Sequence, residues 1–119
     1  MNSNGSVTQA TAYIAGPMSG YPEYNFPAFD AAQARLEALG FKVISPAQID
    51  RDEGFDPTKD EVTPELMADI VRRDIEAIIK SDIIILLDGW EDSKGAVAEA
   101  NVGRWLNKPI KEFQDYAAL

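Results

Sequence analysis

The 119-residue chain contains no cysteine and no histidine. Without cysteine there are no disulfides and no thiolate chemistry. Without histidine, the usual neutral-pH base and the commonest protein metal ligand are both missing. Acid–base work therefore falls to carboxylates, tyrosine or lysine, and neither a metal nor a cofactor is expected. Positive charge is scarce too: 11 Lys and Arg stand against 20 Asp and Glu, a net charge of −9. That imbalance argues against nucleic-acid or anionic-membrane binding by bulk electrostatics. It leaves room for a local anion site built from backbone N–H groups. No apolar run approaches the roughly 20 residues of a membrane span. The opening MNSNGSVTQA has no basic n-region and no apolar h-region, so no signal peptide is expected. Residues 1–10 read as a short flexible tail and residues 11–119 as a single domain, with a cytoplasmic location expected.

What is present is a regular alternation. TAYIAG (11–16) is a β-prone run ending in Gly-Pro. FPAFDAAQARLEALG (26–40) is amphipathic, with Phe29, Ala32, Leu36 and Leu39 on one face and Gly40 as a natural C-cap. FKVIS (41–45) is a second strand, and PAQIDRDEGFDPTKDEV (46–62) reads as an acidic, mobile loop. Thr63 and Pro64 start a helix that runs to about Lys80, Thr as N-cap and Pro in the first turn. DIIILLD (82–88) is apolar throughout, the mark of a strand buried on both faces. A helix around Glu99 and a last strand in KPIKEF (108–113) complete β-α-β-α-β-α-β. This order predicts an α/β fold, a parallel sheet of about four to five strands covered by helices. Ligands of such sheets bind beyond the carboxyl ends of the strands. Those ends carry residues 16–20, 45–46 and 88–95.

Three constellations in these positions could carry chemistry. In YIAGPMSG, a Gly-rich turn after the first strand could bring N–H groups to a phosphate, but it is neither a dinucleotide nor a Walker fingerprint. An ordinary tight turn explains it equally well, and Tyr13 in the strand could be purely structural. Asp74 falls within an apolar stripe of its helix, Met67, Ile70, Val71, Ile75 and Ile78. A carboxylate there must be paired, hydrogen-bonded or facing a cleft; pairing with a neighbouring arginine is the plain alternative. Glu99 shares a helix face with Gly95, Ala96, Val102, Gly103 and Leu106, small neighbours that allow close approach and leave room for a guest. Ser93, Lys94 and Gly95 at the start of that helix offer a hydroxyl and free N–H groups, an anion site or merely a cap. Two inward carboxylates, a tyrosine and two candidate anion turns on one sheet edge fit a small pocket. Carboxylate-based glycosyl chemistry is the class they suit.

These residues also resemble a known family. YIAGPMSG, RRDIEAIIKSDIIILLDG and SKGAVAEANVGRWLNKPI are similar, in this order, to blocks of the nucleoside 2-deoxyribosyltransferase superfamily, which includes the 2'-deoxynucleoside 5'-monophosphate N-glycosidases. The opening AGPMSG…YNFPAF resembles most closely a small, often phage-encoded branch, DUF4406. The resemblance spans about residues 11–110. It implies a flavodoxin-like fold, and cleavage or transfer at the N-glycosidic bond of a 2'-deoxynucleoside or its 5'-monophosphate. It implies Glu99 as nucleophile, Asp74 as the group assisting leaving-base protonation or positioning the nucleophile, and Tyr13 as orienting Glu99. Asp88 would hold a sugar hydroxyl, and Ser93, Gly95, Gly16 and Ser19 would receive the 5' end. The first Gly-rich turn lacks the Arg with which some nucleotide-hydrolysing relatives bind phosphate, and Lys94 is a candidate to replace its charge. A homo-oligomer is implied as well. Two other readings fit the same residues: a non-catalytic nucleotide-binding module, and a small interaction protein working through the acidic segment 50–61.

Overall fold

The computed structural model describes residues 9–118, so all but the end of the expected tail lies outside the described residues. Four strands form one parallel sheet: β1 (Thr11–Ala15), β2 (Lys42–Ile44), β3 (Ile83–Leu86) and β4 (Ile110–Glu112), in the spatial order β2-β1-β3-β4. The expected parallel α/β architecture is therefore present. β1 and β3 occupy the centre, which explains why IIIL in β3 carries no polar residue. Along β1, successive side chains alternate between faces. Ala12 and Ile14 join Phe26, Phe29, Ala32 and Leu36 of α1 (Phe26–Ala38) in one core. Tyr13 and Ala15 join Ala77 and Ile78 of α3 (Pro64–Lys80) and Ala100 of α4 (Lys94–Trp105) in the other. The sheet is thus covered on both faces. A terminal turn of helix, α5 (Gln114–Ala117), follows β4 and contacts α1.

The chain leaves β1 to one side, forms β2, then crosses back to place β3 on the other side of β1. That reversal opens a crevice beyond the carboxyl ends of β1 and β3. Two glycines set how tightly its walls approach. A Cβ on Gly16 would stand 2.8 Å from Leu87 Cβ, and one on Gly103 would stand 2.8 Å from Ile84 Cγ1. Both distances are shorter than side-chain contacts allow, so only glycine lets the first turn lie against β3 and α4 against the sheet.

Two expectations are corrected. The segment 46–62 is not wholly a loop, since Pro46–Asp52 forms a helix, α2. Ser45 is its N-cap residue, Pro46 fits the first turn, and Ala47 and Asp50 are buried on its inner side. The acidic composition hid this helix because the charge of Asp50 is met by an arginine from α3, outside the segment. Only the end of the α3 stripe, at Ile78, faces the core. Asp74, Ala77 and Ile78 turn inward, whereas Met67, Val71 and Ile75 stay 43%, 47% and 37% exposed. Periodicity identifies an apolar face, not what covers it. Leu106 likewise lies at the C-cap of α4 and is exposed rather than packed.

Candidate functional site

A cavity of about 500 Å³ lies in the crevice, walled by the first Gly-rich turn, α2, α3 and the N-terminal half of α4. Gly16, Ser19, Asp74, Ser93, Gly95 and Glu99 all line it. Tyr13 projects from β1 beneath it and is fully buried. Its hydroxyl donates to Glu99 Oε2 at 2.9 Å. This bond spans 86 residues of sequence and joins the central strand to α4. Asp74 comes in from α3 and is 6% exposed, and its Oδ1 is buried with no hydrogen-bond partner among the described residues. The neighbouring Arg73 does not pair with it, turning instead to Asp50, with Nη2 to Oδ1 at 3.3 Å. Asp74 therefore faces the cleft, not an arginine.

Asp88 is the residue the structure does not bring to the cavity wall. It is exposed, and its Oδ1 accepts a hydrogen bond from Gln114 Nε2 at 2.6 Å. Ser93 serves as a cap as well as a wall. Its Oγ accepts from the Ala96 backbone N–H at 3.2 Å, which leaves its own proton available to a guest. Lys94 lines the cavity beside it with a largely exposed side chain.

The electrostatics are those of acids held away from water. Burial pushes Glu99 well above the ordinary carboxylate range; the Asp74 charge and hydrogen bonding to Asp74 raise it further, and the Tyr13 hydroxyl opposes them. Burial pushes Asp74 up to about 6, with Asp50 adding to the rise and Glu99, Arg73 and Tyr13 opposing it. Tyr13 is itself raised well above its usual value, by burial first and by Glu99 second, so it stays a neutral donor. Two neighbouring carboxyls in one low-dielectric pocket do not both ionise, and the pair keeps one proton near neutrality. The Tyr13 hydroxyl favours the charged form of both carboxyls, whereas the contact between the two raises Glu99 and lowers Asp74, so in the free site the shared proton rests on Glu99. Such an arrangement provides one nucleophilic and one proton-donating carboxyl side by side.

Sequence reasoning missed three contributors. Asp50 is a third acidic wall residue, 4% exposed. Its position four residues into a helix opened by Ser-Pro was the available signal. Tyr24 and Phe55 form an aromatic wall, their ring centroids 5.5 Å apart in an edge-on contact. Tyr24 is set by a left-handed turn in which Glu23, Tyr24 and Asn25 have φ of 52°, 49° and 63°. Such angles are costly for residues with a Cβ. Asn25 Nδ2 helps hold the turn by donating to Pro17 O at 2.9 Å. No local composition signals that turn.

Among the described residues no helix is long and apolar enough to cross a membrane. No functionally curated protein matches the chain. A solved structure of a 2-deoxyribosyltransferase from the psychrotolerant bacterium Bacillus psychrosaccharolyticus, described as a biocatalyst for the synthesis of antiviral and antitumoral nucleosides, is similar to it. The likeness has a TM-score of 0.63 and 26% identity, and covers 87% of this chain and 71% of that one. Residues 10–112 match the model of DUF4406, a domain of unknown function. The chain therefore belongs to the DUF4406 family, within the nucleoside 2-deoxyribosyltransferase-like superfamily and sharing its flavodoxin-like fold.

Proposed function

We propose that the protein cleaves or transfers at the N-glycosidic bond of a 2'-deoxynucleoside or its 5'-monophosphate, with Glu99 as nucleophile. The observation that carries this reading is the 2.9 Å bond from Tyr13 to Glu99 beside Asp74, whose Oδ1 is buried without a hydrogen-bond partner among the described residues, in the wall of one cavity. A Glu99 oxygen attacks C1' as the C1'–N bond breaks, and the bonding pair leaves on the base nitrogen. The proton shared by the two carboxyls passes to Asp74 as Glu99 attacks, and Asp74 delivers it to the departing base. The covalent deoxyribosyl ester is then opened by water, with Asp74 taking the proton, or by a second base. A sugar without a 2'-hydroxyl reaches the oxocarbenium-like transition state more readily, which suits a site with few polar groups. Ser93, Lys94 and Gly95 at the start of α4 offer a hydroxyl, a cation and N–H groups to the 5' end, with Gly16 and Ser19 on the facing turn.

The same reading includes a homo-oligomer. Met67, Val71, Ile75 and Ile79 recur every four residues along α3, the last 55% exposed, and the first three also border the cavity. A solvent-facing stripe of this length marks an interaction surface. A second copy seated on it would cover the stripe and close the mouth of the cavity together. The small-molecule partner is thus the deoxynucleoside or deoxynucleotide, and the macromolecular one a second copy of this chain.

The test is chromatography of free base released from deoxynucleosides and their monophosphates, with and without an acceptor base. Base release supports the reading, and a new nucleoside formed with the acceptor identifies transfer. Substrate-induced thermal stabilisation without base release would replace it with a non-catalytic binding module.

A further inference from the structure

Asp50 lies in the cavity wall yet has no part in the steps above. Its Oδ1 accepts from Arg73 Nη2 at 3.3 Å, its Oδ2 accepts no hydrogen bond from a described residue, and the residue borders the cavity. Arg73 is itself tied down, its Nε donating to Asp69 O at 3.4 Å and its Nη1 lying 4.0 Å from Glu53 Oε1. The guanidinium therefore engages one oxygen of the carboxylate and leaves the other without a hydrogen bond from a described residue. Burial pushes its pKa up and the guanidinium pulls it back toward the charged form. An ionised carboxylate only accepts hydrogen bonds, and a buried acceptor facing another acceptor costs more than one facing a donor.

Asp50 also lies near both reacting carboxyls, close enough that its charge raises Asp74 and Glu99 alike. In the glycosidic reading C1' lies at Glu99 and the 5' end at the start of α4, and the cavity wall that remains for the base is the one carrying Asp50, Tyr24 and Phe55. There Tyr24 and Phe55 offer aromatic surface to its ring. We propose that the free oxygen of Asp50 reads the edge of the nucleobase and selects bases bearing an exocyclic amine over those with a carbonyl at the same position. At that position adenine and cytosine present N–H donors, whereas guanine, hypoxanthine, uracil and thymine put a carbonyl oxygen against the carboxylate. This inference rests on the glycosidic reading of the site and adds its substrate preference.

Matched pairs isolate the effect: 2'-deoxycytidine against 2'-deoxyuridine, and 2'-deoxyadenosine against 2'-deoxyinosine, each also as the 5'-monophosphate. The wild type should show a kcat/KM for base release at least about ten-fold higher for the amine member of each pair, since sites built for a donor reject its isostere. Asp50→Asn, whose amide can donate or accept, should bring both ratios toward one. Equal rates within the pairs, or an Asp50→Asn variant that slows all substrates by one factor, would overturn the proposal. The wild-type ratios alone decide the matter if the variant fails to fold. If the wild type releases no base at all, the glycosidic reading fails separately. Thermal shifts with the same compounds then decide the selectivity: larger shifts for the amine members support it, and equal or absent shifts overturn it.

Discussion

Asp74 and Glu99 share a cavity in which two adjacent negative charges are costly, and this has a consequence for stability. The Asp74 carboxyl stands at about 6 against an ordinary 3.8. A carboxyl raised on folding stabilises the fold fully below its unfolded value, and that contribution is lost as pH rises through the folded value. The wild type should therefore lose stability between about pH 4 and pH 7. Asp74→Asn removes the titration. Near pH 8 it should melt above the wild type, by up to about 3 kcal/mol, and near pH 4 the two should converge. Its rate of base release should fall strongly, because the amide cannot give up a proton. A variant less stable than the wild type at both pH values would mean that Asp74 is a paired structural residue. Tyr13→Phe keeps the buried ring and deletes one donor to a charged oxygen, worth roughly 1.5–3 kcal/mol. It should cost about ten-fold or more in kcat, and it should also lower stability, because the bond is already formed in the free protein and its loss leaves a buried Glu99 oxygen without a donor. Glu99, Asp74 and Tyr13 stood out in the sequence because a charge or a hydroxyl on an inward face needs a reason. Asp50 did not, because its partner Arg73 lies 23 residues away.

At the scale of elements, α4 combines two demands. Its N-terminus faces the cavity, and its body lies close against β3. Ser93→Ala removes the cap to Ala96, which costs roughly 1 kcal/mol of stability whatever the substrate. If a 5'-phosphate sits at this terminus, KM for a deoxynucleotide should also rise about ten-fold, while KM for the matching nucleoside stays put. Equal effects on both would place the phosphate elsewhere. Gly103→Ala tests the close approach, since its Cβ would meet Ile84 Cγ1 at 2.8 Å. It should destabilise the protein by about 1–3 kcal/mol in denaturant titration. β1, β3, α1 and α4 were legible in the sequence because each has a clear period, cap or apolar run. α2 was not, since seven residues carry too little period and its acidic composition imitates a loop. The left-handed turn at residues 23–25 was also illegible, because none of the three residues is glycine.

At the scale of the molecule, the parallel sheet and the crevice at its switch point followed from the alternation of strands and helices. What covers the α3 stripe did not, because apolar spacing looks the same whether a sheet or another chain lies against it. Val71→Asp and Ile75→Asp place charges in that stripe. Each should shift the protein from oligomer to monomer in sedimentation analysis and weaken activity by opening the cavity, without unfolding it. A wild-type monomer would contradict the second-copy assignment and leave the Glu99 chemistry standing. That chemistry is tested most directly by base release from a deoxynucleoside panel, measured for the wild type and for Glu99→Gln under identical conditions. The glutamine fits the same space and cannot form the deoxyribosyl ester, so its rate should fall by orders of magnitude, on the order of a thousand-fold or more. A Glu99→Gln protein that keeps more than a few per cent of the wild-type rate would contradict a nucleophilic Glu99.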